Sequence, residues 1–167
     1  GKNWLKKGTL TAAYQNVEES RINRRFGSLN RSYQIENVDV YSINADFYGN
    51  VAQGHSLAYG LEWTHNKIQS RGYALDLVLN LENIIGYSNR TMIPSRYPSD
   101  GSSASSFAGY LNWIHRANDR LTLNGGLRLT GSKIIARWND SAQVDKLLSS
   151  VDLQSEALTY TFAMTYR

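Results

Sequence analysis

Apolar and polar residues alternate with period two along six stretches of this chain. In residues 121–132, Leu121, Leu123, Leu127 and Leu129 alternate with Thr122, Asn124, Gly126, Arg128 and Thr130. Such spacing puts the two sets on opposite faces of a β-strand. The same pattern recurs at 8–15 (Leu10, Ala12, Tyr14), 37–49 (Tyr41, Ile43, Ala45, Phe47) and 55–65 (Leu57, Tyr59, Leu61, Trp63). It returns at 106–115 (Phe107, Gly109, Leu111, Trp113) and at 156–167 (Leu158, Tyr160, Phe162, Met164, Tyr166). The rows opposite carry Thr, Ser, Gly and Ala, with Glu62, Asn124 and Arg128 among them. The pattern predicts an all-β, antiparallel protein of about six strands. It leaves open which face meets water: in a soluble sheet the leucines pack a core, and in a membrane barrel they face lipid.

The connections bear on that choice. Two are short and polar, "GNVAQG" at 49–54 and "RANDR" at 116–120. Three are long: 16–36, 66–105 and 132–155. Short and long alternate along the chain, so an up-and-down sheet gathers the short turns at one end and the long loops at the other. That is the plan of an outer-membrane barrel, and loops of this length are uncommon in compact soluble domains. The aromatics Phe47, Trp63, Trp113 and Tyr166 fall near strand ends on the apolar rows, where a membrane-interface girdle lies. The ordinary alternative for them is cross-strand aromatic pairing. Within the long connections, 74–87 mixes helical and strand spacing. Val144, Leu147, Leu148 and Val151 follow i, i+3, i+4, i+7, which predicts a short helix.

Composition narrows the functional classes. The 167 residues suffice for one domain, with 41% hydrophobic and 19% charged residues. No run approaches the ~20 apolar residues of a spanning helix, so any crossing of a membrane must use strands. The net charge of +4 comes from scattered cations rather than a phosphate-tracking stripe, which argues against nucleic acid. The absence of cysteine excludes disulfides, thiolate catalysis and zinc–thiolate clusters. No G-x-S-x-G elbow, P-loop, H-E-x-x-H or dinucleotide fingerprint is present, and the expectation is that the protein is not an enzyme. The chain starts at Gly1 without a signal-peptide pattern, and a piece of a longer protein is expected.

The succession "YQNVEESRINRRFGS" (14–28), "ENVDVYSINADF" (36–47), "HSLAYGLEWTHN" (55–66), "SRYPSDGSSASSFAGYLN" (95–112) and "NDRLTLNGGLRLTGSKI" (118–134) resembles the barrel of TonB-dependent outer-membrane receptors. The arginine-rich 16–36 segment and "RYPSDGSS" look more like receptors of the haem or siderophore type found in Bacteroidetes-like bacteria. The resemblance covers nearly the whole chain and implies a barrel segment, residues 1–167, of a ligand-gated uptake receptor in the bacterial outer membrane. It implies as partners the membrane lipid, an N-terminal plug domain, the TonB complex and an iron-siderophore or haem ligand. No resident cofactor or nucleic acid is expected. The chain departs from the family in showing neither plug nor TonB box, and six strands are fewer than the 22 of such barrels. A small soluble or self-associating β-domain that binds a partner through its long loops is the alternative.

Candidate ligand-binding residues in the predicted loops are Arg21, Arg24, Arg25 and Arg31, suited to an anionic siderophore, haem propionates or lipopolysaccharide phosphates. Tyr73, Tyr97 and Trp138 (and Tyr87) offer aromatic contact. Glu62, Asn124 and Arg128 are expected to face the lumen. No metal site is expected. His65, at the predicted extracellular end of its strand, is placed to reach a haem iron, and an interfacial side chain is the simpler reading.

Overall fold

The computed structural model describes residues 3–138 and 149–167. Those residues form seven strands: β1 (Asn3–Arg24), β2 (Asn30–Ala52), β3 (His55–Asn80), β4 (Asn83–Met92), β5 (Ser102–Arg116), β6 (Leu121–Arg137) and β7 (Ser150–Tyr166). All pairings are antiparallel, in the order β1-β2-β3-β5-β6-β7, and β4 pairs with the far half of β3. The sheet is open: β1 and β7 end the six-strand path and are not partners of each other.

All six predicted strands exist, but they run well past the predicted ends. Residues 16–36 are not a loop: β1 and β2 continue in register from Asn16↔Asp39 to Arg24↔Arg31 and meet in a tight turn. In that turn Ser28 N–H donates to the Arg25 carbonyl at 3.0 Å, and Gly27 takes a φ of 74°. Residues 66–105 hold the rest of β3 and all of β4, so the mixed spacing at 74–87 resolves into strand, turn and strand. In 132–155, β6 extends to Arg137 and β7 starts at Ser150, which places Val151 on a strand. The predicted helical positions Val144, Leu147 and Leu148 lie outside the described residues. The reason for the missed extensions is physical. An apolar row marks a strand only where one face is dry, and past Tyr14, Tyr41 and His65 both faces are polar or mixed.

The short turns are as expected. Gly54 has a φ of 72°, and a Cβ there would sit 2.8 Å from the Arg116 carbonyl oxygen. Glycine is therefore needed on both counts, and its own carbonyl accepts from Arg116 N–H at 2.8 Å. At the other short turn, Asn118 Oδ1 accepts from the N–H groups of Arg120 and Leu121, both at 2.9 Å, an Asx turn that directs the chain into β6.

Candidate functional site

The register aligns the six apolar rows on one face. Leu10, Ala45, Leu61, Gly109, Leu129 and Leu158 form one lateral row across β1, β2, β3, β5, β6 and β7. Gly8, Phe47, Tyr59, Leu111, Leu127 and Tyr160 form the next. This face is open to its surroundings: Leu129 is 59% exposed, Leu158 66% and Phe162 73%. Buried hydrophobic side chains among the described residues are Ala74, Leu77 and Ala108. The sheet thus holds hardly any core of its own.

Aromatic rings border the apolar face. At the end nearer the β1–β2 turn, Tyr14, Tyr41 and His65 run ring to ring across three strands, with centroids 5.1 and 6.3 Å apart. Trp63 stacks beside His65 at 6.1 Å. At the short-turn end, Phe47 stacks on Tyr59, and Trp113 donates from Nε1 to His55 Nδ1 at 3.1 Å. Beyond Tyr14 and Tyr41 the same face turns polar, with Asn16 donating to Asp39 and Lys133 paired to Asp152 at 3.1 Å.

The opposite face is polar and cross-linked. Arg128 on β6 pairs with Glu62 on β3, and its Nε donates to Thr130 Oγ1 at 3.2 Å. The Tyr110 hydroxyl on β5 donates to Asp46 on β2, reaching across β3. Gly60 makes that reach possible: a Cβ there would lie 2.8 Å from the Tyr110 ring and hydroxyl, and closer still to the Ala45 carbonyl oxygen. Gly60→Ala is therefore expected to destabilise the sheet by about 1–3 kcal/mol through overpacking. Tyr110→Phe, which removes one hydrogen bond, should cost about 1 kcal/mol. Urea titration of both variants checks the order, and an alanine no costlier than the phenylalanine would contradict the account.

Past this aromatic border, on the polar face, residues 93–97 fold over β1, β2 and β3. Glu19 and Glu36 stand directly opposite each other on β1 and β2. Arg96 bridges them, at 3.1 Å to Glu19 and 3.3 Å to Glu36, whose side chain is only 3% exposed. Ser70 Oγ donates to Glu36 and accepts from Tyr97 N–H at 3.3 Å, and Gln34 donates to the Pro94 carbonyl at 3.0 Å. Gly72 makes room for this strap, since a Cβ would lie 2.6 Å from the Ile93 carbonyl oxygen. Arg21 donates to Glu19 at 2.9 Å. That hydrogen bond, with the charges of Arg21 and Arg96, holds the Glu19 carboxyl below its ordinary pKa against a smaller opposing desolvation.

The predicted site residues thus divide between two faces. Arg21 and Tyr97 come together at the strap. Arg24, Arg31 and Tyr73 lie on the other face, and Arg25 is in the β1–β2 turn. Trp138 follows β6, with its N–H donating to the Ser149 carbonyl at 3.0 Å. Glu62 and Arg128 share the polar face as an ion pair. Asn124 sits on that face too, with a buried Oδ1 that has no hydrogen-bond partner. His65 lies in the aromatic border of the apolar face, its Nδ1 2.8 Å from Ser105 Oγ. Sequence reasoning missed Glu19, Glu36, Arg96 and Tyr110, because their partners are up to 77 residues apart and no spacing rule connects them. Among the described residues, no group of three or more His, Cys, Asp or Glu side chains is placed to hold a metal. No family model matches the sequence, and no curated protein or solved structure matches the chain.

Proposed function

We propose that the sheet is a sector of an outer-membrane β-barrel wall, belonging to a TonB-coupled uptake receptor of the iron-siderophore or haem class. The observation that carries the membrane part is the apolar belt. It runs from Leu57 to His65 on β3, from Leu121 to Gly131 on β6 and from Leu158 to Tyr166 on β7. Those spans are the ~9–11 residues that a tilted strand needs to cross the hydrocarbon layer. Aromatics mark both borders of the belt, and the face behind it is polar, as a wet barrel interior requires. In water, a face of this breadth would be far larger than the apolar patches that monomeric proteins leave uncovered.

The receptor part rests on the family resemblance. In that reading Glu62, Asn124 and Arg128 line the interior, where a plug domain sits, and the strap over Glu36 narrows the outer mouth. The ligand is captured at the mouth, the plug is moved by the TonB complex, and no bond in the ligand is made or broken by this wall. The open edges of β1 and β7 would pair with further strands of the same barrel. They also suit the second reading, a self-associating β-domain whose copies cover each other's apolar face.

The deciding experiment is the intact mass of the natural polypeptide, its membrane fraction and its need for detergent. The expected result is a chain several times longer than 167 residues that fractionates with outer membranes and is monodisperse only in detergent. A 167-residue species that stays monodisperse without detergent would overturn the transport reading.

A further inference from the structure

We infer that Arg24, Arg31 and Arg90, grouped around the stacked Tyr33–Tyr73 pair, form a docking site for the phosphorylated sugar chain of a membrane glycolipid. The inference rests on the membrane reading above and assigns a partner to a surface that uptake does not use.

Arg24 and Arg31 stand directly opposite each other on β1 and β2, and Arg90 on β4 follows in the same lateral row beyond Leu75. Like charges placed directly across strands destabilise a sheet. No carboxylate lies within ion-pair distance of any of the three among the described residues. Glu19, Glu36 and Asp76 all project from the other face. Glu18, on the same face as the patch, is ~20 Å back along β1 at ~3.3 Å per residue. Three guanidinium groups with no internal counter-ion, in a row, call for an external polyanion, and their planar forks match phosphate oxygens in pairs.

The tyrosines give the site its second component. The Tyr33 and Tyr73 rings are stacked at 5.0 Å and 10° apart in plane, and the Arg90 guanidinium sits 4.2 Å above the Tyr73 centroid. Stacking holds that guanidinium in place and leaves aromatic surface beside it, suited to the apolar face of a sugar ring.

Height selects the occupant. From Tyr41 in the girdle to Arg31, β2 climbs ~33 Å along the strand, or ~25 Å along the membrane normal at a tilt of ~40°. The interfacial layer extends only ~5–8 Å beyond the hydrocarbon. A phospholipid headgroup therefore falls well short of Arg31, whereas several sugars carrying phosphate reach it. Because the patch continues the apolar face, it is turned toward the surrounding membrane layer and away from the interior.

The test uses the full chain in lipid nanodiscs, titrated with a phosphate-bearing rough lipopolysaccharide and with its chemically dephosphorylated form. The expected result is at least ~10-fold weaker binding for the R24Q/R31Q/R90Q variant, and a similar loss for the wild type with the dephosphorylated lipid. Equal binding in either comparison overturns the site. So does arginine-dependent binding of phosphatidylglycerol vesicles, or equal affinity for the phosphorylated oligosaccharide freed from its lipid. A nitroxide at Leu61→Cys, read by its accessibility to oxygen against a nickel chelate, reports separately on the membrane reading. If that label is not in lipid, both readings fall; if it is in lipid and the arginines do not matter, the docking site alone falls.

Discussion

Leu129→Arg is expected to weaken refolding of the full chain into bilayers by about 2–4 kcal/mol, whereas Thr130→Arg one residue away should cost only the hydrogen bond it receives from Arg128, about 1 kcal/mol. The two positions share a backbone, a strand and a depth. What differs is the face. Leu129 lies in the row of Leu61 and Leu158, which in the proposed membrane reading is the row that meets hydrocarbon. Thr130 lies in the row of Glu62 and Ala108 on the polar face, where an arginine gives up only the hydrogen bond that Arg128 donates to Thr130. Depth supplies the second axis: Leu121→Arg, at the border of the belt on the same strand, should cost ~0–1 kcal/mol, since the penalty falls toward the interface. A packed protein partner over this face would instead scale the cost with local packing. Equal penalties at 129 and 130, or a penalty at 121 as large as that at 129, would remove lipid from the account. Equilibrium urea titrations in vesicles measure all three.

That contrast also shows where the sequence is informative. Between Gly8 and Tyr14, Tyr41 and Phe47, or Leu121 and Gly131, one face is apolar and the other polar, and the alternation alone locates the strand and assigns its sides. A slip of one residue would exchange those sides, so the hydrophobic pattern also constrains the register. The short turns are legible for a similar reason: Gly54 and Asn118 are residues whose backbone preference names the turn. Past the aromatic border nothing forces a row to be apolar. "VEESRINRR" at 17–25 reads as a solvated loop, yet it is strand, held by ladder hydrogen bonds to β2. The interactions that hold the strap are beyond local reading altogether. Glu19 and Glu36 become neighbours through a register set elsewhere, and Arg96 joins them from sixty or more residues away. Composition finds the arginines, but only topology sorts Arg21 to the strap and Arg24 and Arg31 to the opposite face.

Arg96→Ala is expected to release the strap. Glu36 is 3% exposed, and Arg96 is its ion-pair partner. Removing one member of a buried pair leaves an uncompensated charge, a loss of about 3–5 kcal/mol where burial is complete. Arg96 itself is 24% exposed, so the lower end of that range applies. The cost falls on the weakest element available, which is the segment 93–97 rather than the long ladder of β1, β2 and β3. Amide exchange of Tyr97, whose N–H donates to Ser70, should then accelerate by on the order of 10²-fold, while exchange at Leu61 and Leu111 stays unchanged. Adding Glu36→Gln to Arg96→Ala removes the stranded charge and should return much of the protection, which a merely steric role for Arg96 would not allow. Acid should loosen the same strap in the wild type. Glu19 has its pKa lowered by Arg21 and Arg96, so its contribution is present above the ordinary carboxylate pKa and is lost as pH falls below it. Tyr97 exchange, corrected for its intrinsic pH dependence, should therefore rise on acidification below about pH 4, and Glu19→Gln should flatten that rise. Protection at Tyr97 that is indifferent to Arg96, to Glu36→Gln and to acid would mean that the strap is held by Gln34–Pro94 and its backbone alone.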